Sequence, residues 1–307
     1  MKLSSSPFLR EKAARDRSMY YLKPKWVAQP RNEKEVVELV QFAQAKRLSL
    51  SPRGGGTGLS GAALGKDIVV DFSTHFTKIK KIGKKTRVQS GILLKHFRPM
   101  LAKKGYMLPS VPLHGDCAIG GNVNTRSVGP RSMKYGLMNE QVTSVRGVLA
   151  DGRILDTSKP IPQDIAQKVL ALQAELKRNK ALVKHIRSRP AVAGGYNLRA
   201  FLDNARPAQM ISQLVCGSVG TLLLLTEVEL ALPRDKPIRD VYMLHFGCYA
   251  QMQKGLNALI RAGAVSVEFV GEKVLALWDK TYHFPGSKGI FIAEFEHTPS
   301  LHMLESI

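Results

Sequence analysis

The sequence predicts an α+β fold, and three observations indicate it. Apolar runs typical of strands occur at residues 26–29 and 68–72, and apolar residues recur at helical spacing over 33–46 between them. Residues 142–157 read as a β-hairpin that turns at Asp151-Gly152. With 307 residues, of which 44% are hydrophobic, the chain is long enough for two domains with a sizeable core.

Residues 26–72 predict a strand–helix–strand–loop–strand unit. Asn32 with Glu35 three residues later is typical of a helix N-terminus, so we expect a helix over 33–46. The remaining apolar runs of this unit predict strands at 26–29, 48–50 and 68–72, with a glycine-rich loop between the last two.

The rest of the chain predicts a second part of this domain and then a further unit. Residues 1–24 are expected to form a mobile or partly helical tail without a secretory signal. Pro233 and Pro237 bracket a predicted linker, and a second unit is expected from Ile238. The other predicted elements are a solvated hairpin edge at 78–85, helices at 93–103, 163–185 and 251–263, and strands at 222–232 and 290–295.

Composition limits the functional classes. The 46 Lys and Arg residues against 24 Asp and Glu give a formal charge of +22, which favours polyanionic partners, although a proteome-wide basic bias explains it equally well. Nucleic acid is not expected as a partner, because aromatic residues are scarce and no helix-turn-helix or RNP-like signature occurs. The three cysteines are far apart, which excludes a disulfide framework and predicts a reducing, cytoplasmic location.

Residues 210–226 carry no charge, but glycines interrupt them, so no membrane span is predicted and a turn feeding a buried strand is expected.

The stretch SPRGGGTGLSGAALGKD, residues 51–67, holds five glycines between Gly54 and Leu64. It fails the P-loop pattern, because Ser60 and Asp67 stand where glycine and Ser or Thr are required. A GxGxxG match is present, but here the predicted helix precedes the loop instead of following it. Glycines allow consecutive backbone N–H groups to curl around an anion, so an anion-binding nest is favoured over a flexible surface loop.

Two further glycine clusters occur in the same domain. His114 to Asn124 reads HGDCAIGGNVN and ends in amides that can bond a ligand, and Gly217 to Gly220 precedes the last apolar strand of the domain. Each cluster alone is more often a plain turn, but together the three could line one long groove.

The order of these motifs resembles the FAD-binding domain of the vanillyl-alcohol-oxidase type, also called the PCMH type. Within it, the chain is similar to the glycolate oxidase D-subunit, D-lactate dehydrogenase and D-2-hydroxyglutarate dehydrogenase branch. The resemblance covers about Asp16 to Pro237 and rests on an ordered set of segments: DxSxY at 16–20, PRGGGTGLSG at 52–61, IGGNVNT at 119–125, RSMKYG at 131–136, VLADGRIL at 148–155, GYNL at 195–198 and GSVGTLLLLTE at 217–227.

The resemblance implies a PCMH-type FAD-binding domain over 25–234, with α+β subdomains at about 25–75 and 76–234. The start of an incomplete α/β substrate (cap) domain would follow at 238–307. In covalent members a histidine stands where Thr57 is, so non-covalent FAD is implied. The implied pyrophosphate loop consists of Arg53, Gly54, Gly55, Gly56, Thr57, Gly58, Leu59 and Ser60. The implied facing wall consists of Asp116, Ala118, Ile119, Gly120, Gly121 and Asn122. The positions implied to lie along the flavin or adenine are Gly136, Val142, Gly220 and Leu225.

Several positions depart from the family pattern. Ala118 stands where a hydroxyl residue is usual, Arg126 replaces an asparagine, Val128 a small residue and Val219 a glutamate. Leu223 replaces a glycine and is expected to add bulk close to the cofactor wall.

The metal-binding and catalytic histidines of the family are expected beyond Ile307, so the catalytic residues are unknown and no metal site is predicted in this chain. Glu294, Glu296, His297 and His302 could suggest a metal cluster, but solvated surface is the preferred interpretation.

The implied function is FAD-dependent oxidation of a D-2-hydroxy acid such as D-lactate, glycolate or D-2-hydroxyglutarate, by hydride transfer to flavin N5. The implied partners are that small substrate, an anionic membrane surface or a quinone or other electron acceptor, and a separate chain that supplies the catalytic region. The implied location is the cytoplasm. The proposed contact with a membrane would place the protein peripherally on the inner face of that membrane. The alternative is a degenerate flavin fold that acts as a non-enzymatic polyanion-binding or scaffold protein.

Overall fold

The computed structural model describes residues 2–189, 194–238, 240–278 and 286–299. Within these ranges the chain forms two compact units, one from residues 1–108, 114–127 and 137–234 and the other from residues 109–113, 128–136 and 235–307. The linear domain boundaries inferred from the sequence stay a proposal.

The mixture of helices and strands confirms the predicted α+β fold. The described strands are β1 (Leu3–Ser4), β2 (Trp26–Ala28), β3 (Leu50–Arg53), β4 (Ile68–Asp71), β5 (Ile79–Lys81), β6 (Lys85–Gln89), β7 (Val142–Val148), β8 (Ile154–Asp156), β9 (Leu224–Ala231), β10 (Asp240–Phe246), β11 (Ser266–Gly271) and β12 (Gly289–Phe295). The described helices are α1 (Pro7–Ala13), α2 (Glu33–Lys46), α3 (Leu94–Ala102), α4 (Ile119–Asn124), α5 (Ser132–Tyr135), α6 (Met138–Gln141), α7 (Gln163–Arg178), α8 (Lys180–Ser188), α9 (Ala200–Asp203), α10 (Pro207–Val215), α11 (Tyr249–Arg261) and α12 (Glu272–Leu275).

A four-stranded sheet in the order β1-β2-β4-β3 opens the first unit, with β2, β4 and β3 parallel. Helix α2 connects β2 to β3 and begins as predicted, because the Asn32 Oδ1 accepts a hydrogen bond from the Glu35 N–H at 3.0 Å. The strand predicted at 48–50 begins only at Leu50. The Leu48 N–H turns back to the Ala43 carbonyl and closes the end of the helix instead.

A five-stranded antiparallel sheet in the order β5-β6-β9-β7-β8 completes the first unit. The predicted hairpin at 142–157 is confirmed, and Gly152 takes the left-handed φ of +83° that its turn requires. Helix α2 packs between the two sheets, and the shared core includes Leu39, Phe72, Val148 and Leu224.

Two predictions about the first unit need correction. The single helix expected over 163–185 is two helices, because Asn179 is not helical and its side chain caps α8 through the Leu182 N–H. The uncharged stretch 210–226 was expected to be a turn feeding a buried strand, but it contains most of helix α10 before β9 begins. Its first apolar residues form the buried face of that helix, and its last ones belong to the strand. The expectation of a partly helical tail is confirmed by helix α1, and Leu3–Ser4 pairs with β2. No helix of the described residues is long and apolar enough to span a bilayer.

The second unit is built on a three-stranded antiparallel sheet in the order β10-β12-β11. Helix α11 covers one face of this sheet, and Leu259, Phe291 and Phe295 form the centre of the small core between them. The predicted helix and final strand of this unit are confirmed with shifts of one or two residues.

Candidate functional site

The glycine-rich loop follows β3 at the carboxyl end of the parallel strands. Ligands of open parallel sheets bind beyond this edge, because the loops that leave the strands there surround a crevice. The loop returns to the sheet at β4, so both of its ends are fixed by neighbouring, hydrogen-bonded strands.

The backbone of this loop presents a continuous row of hydrogen-bond donors. The N–H groups of the seven consecutive residues from Gly54 to Ser60 donate to no protein atom of the described residues. Gly56 has a φ of +65°, a conformation that glycine adopts without steric cost. Unpaired N–H groups in such a turn form an anion-binding concavity.

The glycines of the loop have two different roles. A Cβ atom on Gly54 would lie 2.5 Å from the Ala118 Cβ, and one on Gly55 would lie 1.8 Å from the Asp116 carbonyl oxygen. These two glycines are therefore required by the packing of the loop against residues 116–118. Gly58 and Gly121, in contrast, have no described atom within 4 Å of their Cβ positions, so these are the sides from which a ligand can approach.

Arg53 holds the loop from beneath. Its guanidinium donates to the Arg15 carbonyl oxygen at 2.7 Å and lies under Gly56, whose Cβ would come within 2.1 Å of the Arg53 Nη2. Burial lowers the pKa of Arg53, and the charge of Asp71 partly offsets this. The sequence predicted only a backbone role for Arg53, because the tether to the N-terminal segment depends on tertiary contacts.

The N-terminal DxSxY segment also packs on the loop. The Arg17 N–H donates to the Gly58 carbonyl oxygen at 3.2 Å, and the Tyr20 ring lies beside Gly61. Residues 15–21 therefore form one wall of the loop, which connects two motifs that the sequence could only place in order.

The second glycine cluster forms the wall that faces the loop. Asp116 pairs with Lys95 at 2.8 Å, and the hydrogen bond from Lys95 lowers the pKa of Asp116. Ala118 and Ile119 are buried at the start of α4, and the Gly120 N–H donates to the Ser90 carbonyl oxygen at 2.6 Å.

Each of the two amides at the end of this cluster forms one hydrogen bond within the protein. The Asn122 Nδ2 donates to the Ala118 carbonyl oxygen at 3.0 Å, and the Asn124 Oδ1 accepts from Ser218 at 3.3 Å. The Asn122 Oδ1 and the Asn124 Nδ2 are the remaining polar atoms of these amides, so the expectation that the amides can bond a ligand stays a prediction.

The third glycine turn meets the other two. A Cβ on Gly220 would lie 2.3 Å from the Pro52 Cγ, and the Val219 N–H donates to the Asn124 carbonyl oxygen at 2.9 Å. The structure thus brings all three glycine-bearing turns into contact. Val219 has a φ of +55°, which is unusual for a β-branched residue.

The remaining predicted site residues lie in varied surroundings. The Thr57 hydroxyl donates to the Cys117 Sγ at 3.2 Å. Leu59 and Ser60 are exposed at the loop tip, whereas Val142 in β7 and Leu225 in β9 are buried. Gly136 lies in the second unit, where it ends α5 with a φ of +72°.

Two side chains outside the loop are buried, and the burial of Glu296 shows that the expectation of solvated surface is wrong there. Leu223 is buried, and its Cδ1 lies 2.5 Å from where a Cβ on Gly147 of β7 would stand, so its bulk packs against the sheet and its effect on the cofactor wall stays a prediction. The Glu296 side chain is only 4% exposed and not solvated, because Lys134 and the Tyr135 hydroxyl bond it. His302 lies outside the described residues, and no group of three metal-ligating side chains occurs within them.

The comparisons with known sequences agree with this geometry. Residues 24–158 match the family described as "FAD binding domain". The chain is 29% identical to the D-2-hydroxyglutarate dehydrogenase of Escherichia coli K12 over 281 residues, which cover 85% of this chain and 28% of that protein. It is 35% identical to the D-lactate dehydrogenase of Archaeoglobus fulgidus over 133 residues, which cover 42% of this chain and 30% of that protein. The chain thus spans between a quarter and a third of the length of these relatives.

Two solved structures share the fold over nearly the whole chain. An alkyldihydroxyacetonephosphate synthase superposes with a TM-score of 0.69 at 18% identity, covering 99% of this chain and 54% of that one. The BBE-like 1 protein of Physcomitrella patens superposes with a TM-score of 0.64 at 13% identity, covering 97% of this chain and 54% of that one. These likenesses show the fold.

Proposed function

We propose that this chain is the flavin-binding part of a D-2-hydroxy-acid dehydrogenase. The premise is that the chain belongs, through residues 24–158, to the FAD-binding domains of the vanillyl-alcohol-oxidase (PCMH) type. The seven unpaired N–H groups from Gly54 to Ser60 carry the proposal. They supply donors for a diphosphate, and the open sides of Gly58 and Gly121 leave space for one to approach.

The chain's own residues would hold FAD as follows. The loop N–H groups bind the diphosphate, Gly54 and Gly55 keep the loop against the facing wall, and Arg53 fixes its shape from beneath. Thr57 carries a hydroxyl where covalent members carry a histidine, so the cofactor would be held without a covalent bond. When bound, FAD supplies the hydride acceptor at N5 that the oxidation of a hydroxy acid requires.

Among substrates, D-2-hydroxyglutarate is favoured over D-lactate and glycolate, because the relatives that match most of this chain are named D-2-hydroxyglutarate dehydrogenases. No residue of this chain is assigned as the base that takes the hydroxyl proton. The non-enzymatic scaffold alternative is not favoured, since the named relatives are dehydrogenases and Leu223 is buried against β7.

The charge of +22 supports two partner proposals: contact with an anionic membrane surface from the cytoplasmic side, and docking of a quinone or other electron acceptor. The third partner proposal is a separate chain that supplies the catalytic region. Binding to vesicles that contain anionic lipid should weaken as salt is added, and salt-independent binding would contradict the membrane proposal.

The direct experiment is a titration of the purified chain with FAD, followed by flavin fluorescence and calorimetry. We expect saturable binding of one FAD per chain, released by heat. D-2-hydroxyglutarate, D-lactate and glycolate are then supplied in turn with a dye as electron acceptor. FAD binding with no dye reduction by any of the three would reject dehydrogenase activity of this chain alone, and failure to bind added FAD would reject the cofactor proposal itself.

A further inference from the structure

A cavity of about 460 Å³ in the first unit is lined by residues that the FAD proposal does not use. Its wall includes Arg126, which follows α4, and side chains from α6, from residues 185–189 and from residues 194–204. Arginine at 126 departs from the asparagine that the family resemblance led us to expect, so its surroundings bear directly on what this chain binds.

Arg126 is a buried cation that has no counter-ion among the described residues. The residue is 5% exposed, and its Nε is buried without a hydrogen-bond partner. The structure gives the guanidinium no hydrogen bond or ion pair with any described residue. Cys216 is the neighbour that interacts with it electrostatically, but burial raises the pKa of this thiol to about 12, so it is neutral at physiological pH.

This arrangement is unfavourable in the absence of a ligand. Burial lowers the pKa of Arg126, which shows that the surroundings destabilise its charged form. Arginine nevertheless stays charged in proteins, so the charge needs a partner from elsewhere. The backbone at Arg126 is also left-handed, with a φ of +50°, a conformation that costs free energy for a long side chain.

A buried acceptor lies in the wall of the same cavity. The Asn139 Oδ1 is buried and has no hydrogen-bond partner in the described chain. The Asn139 Nδ2 donates to the Gln213 Oε1 at 3.0 Å, and the Gln213 Nε2 donates to the Asn139 carbonyl oxygen at 2.9 Å. Asn197 also donates to the Gln213 Oε1 at 3.3 Å, so the Asn139 amide is held in a fixed orientation.

The other charged groups of the lining leave the cavity positive. Arg189, Arg199 and His185 add basic groups, whereas Glu140 and Asp203 are exposed carboxylates. Neither carboxylate forms an ion pair with Arg126, and the Glu140 Oε1 already accepts from the Leu137 N–H at 3.2 Å.

We propose that this cavity binds the anionic group, a carboxylate or a phosphate, of a small molecule. Arg126 is its counter-ion, and the Asn139 Oδ1 accepts a hydrogen bond from a neighbouring hydroxyl or N–H of the same molecule. A free 2-hydroxy acid carries both a carboxylate and an adjacent hydroxyl, and the diphosphate of FAD is the other source of the same anion chemistry. The proposal depends on the cavity alone and stands whether or not the glycine loop binds FAD.

The test is the thermal unfolding of the full FAD-free chain with D-2-hydroxyglutarate, D-lactate or inorganic phosphate, at an ionic strength held constant with chloride. We expect at least one of these anions to raise the Tm of the wild type. Arg126→Gln should weaken the binding of that anion about tenfold or more, because a charge-assisted hydrogen bond is lost. Arg126→Lys should keep part of the effect, and the exposed Lys168→Gln should keep all of it at the same change in net charge.

Without added anion, Arg126→Gln should be at least as stable as the wild type, because it removes an unpaired buried charge. Asn139→Asp provides a second variant: it places a carboxylate in the cavity wall and should raise the Tm while it abolishes the response to added anion. No rise in Tm with any of the three anions would overturn the proposal, and so would an equal rise in wild type and Arg126→Gln.

The FAD affinity of the same variants distinguishes the source of the anion. An unchanged FAD Kd in Arg126→Gln, together with a lost anion response, assigns the cavity to a free small anion. Parallel loss of phosphate and FAD binding assigns it to the diphosphate of FAD. A wild type that responds to the anions but does not take up FAD would reject the proposed cofactor role while it supports this site.

Discussion

Gly54 and Ala118 are so close that a Cβ atom on Gly54 would lie 2.5 Å from the Ala118 Cβ. This contact joins the glycine-rich loop after β3 to the segment that begins α4, although the two are far apart in the sequence. The absence of a side chain at Gly54 therefore sets the separation between the loop and its facing wall.

Gly54→Ala should destabilise the protein by about 1–3 kcal/mol, because the new methyl group overpacks against Ala118. The double variant Gly54→Ala/Ala118→Gly should recover most of this loss, because it moves the methyl group from one side of the contact to the other. Urea unfolding of the wild type, both single variants and the double variant gives the coupling free energy. Additive effects of the two substitutions would contradict direct contact.

Gly58→Val should weaken FAD binding by about tenfold or more, equivalent to about 1.4 kcal/mol, with little change in stability. The Cβ position of Gly58 meets no described protein atom within 4 Å, so the new side chain fits the protein but occupies the side from which a diphosphate would approach. Gly247→Val is the matched control, since Gly247 is equally open and lies outside the loop. Calorimetric titration with FAD measures both, and an unchanged Kd in Gly58→Val would place the cofactor elsewhere.

Asp156→Asn should lower the free energy of unfolding at neutral pH by about 2 kcal/mol. Burial alone would raise the pKa of Asp156, but hydrogen bonds from Ser158, Arg146 and Arg87 outweigh it and lower this pKa to about 2. A lowered carboxyl pKa stabilises the folded state above the unfolded pKa, and this stabilisation is lost as the pH falls towards the folded pKa.

The difference between wild type and Asp156→Asn should therefore stay constant above about pH 5 and shrink below about pH 4. Denaturant unfolding at a series of pH values measures it. Asp203→Asn, at an exposed carboxylate with no partner among the described residues, should show no such difference at any pH. A difference for Asp156→Asn that grows on acidification would contradict the assignment of the ion pairs.

Leu223→Ala should cost about 2–5 kcal/mol of stability and leave the FAD Kd nearly unchanged. The Leu223 side chain is buried against Gly147 of β7, so its loss leaves a cavity in the sheet and not at the glycine loop. Unfolding and FAD titration on the same preparation separate the two effects. A lower Kd for FAD with little loss of stability would indicate that the Leu223 side chain lies at the cofactor wall.

Local patterns in the sequence determined the elements whose signals are short-range. Asn32 with Glu35 predicted the start of α2, the Asp151-Gly152 pair predicted the hairpin turn, and the glycines of residues 54–61 predicted an anion-binding loop. The predictions of the cap and of the turn succeed because both are formed by neighbouring residues, and anion binding by the glycine loop stays a prediction. The order of the motifs was enough to indicate the family, since each motif keeps its own local pattern.

The tertiary structure alone decided what each side chain faces. Gly54 and Gly55 are needed for packing while Gly58 is open, the Asn122 Nδ2 donates to a backbone carbonyl, and Leu223 is buried against β7. The sequence equally does not reveal that Arg126 has no charged partner among the residues that the structure describes. These properties depend on contacts between segments distant along the chain, and such contacts are fixed only when the sheets and turns pack together.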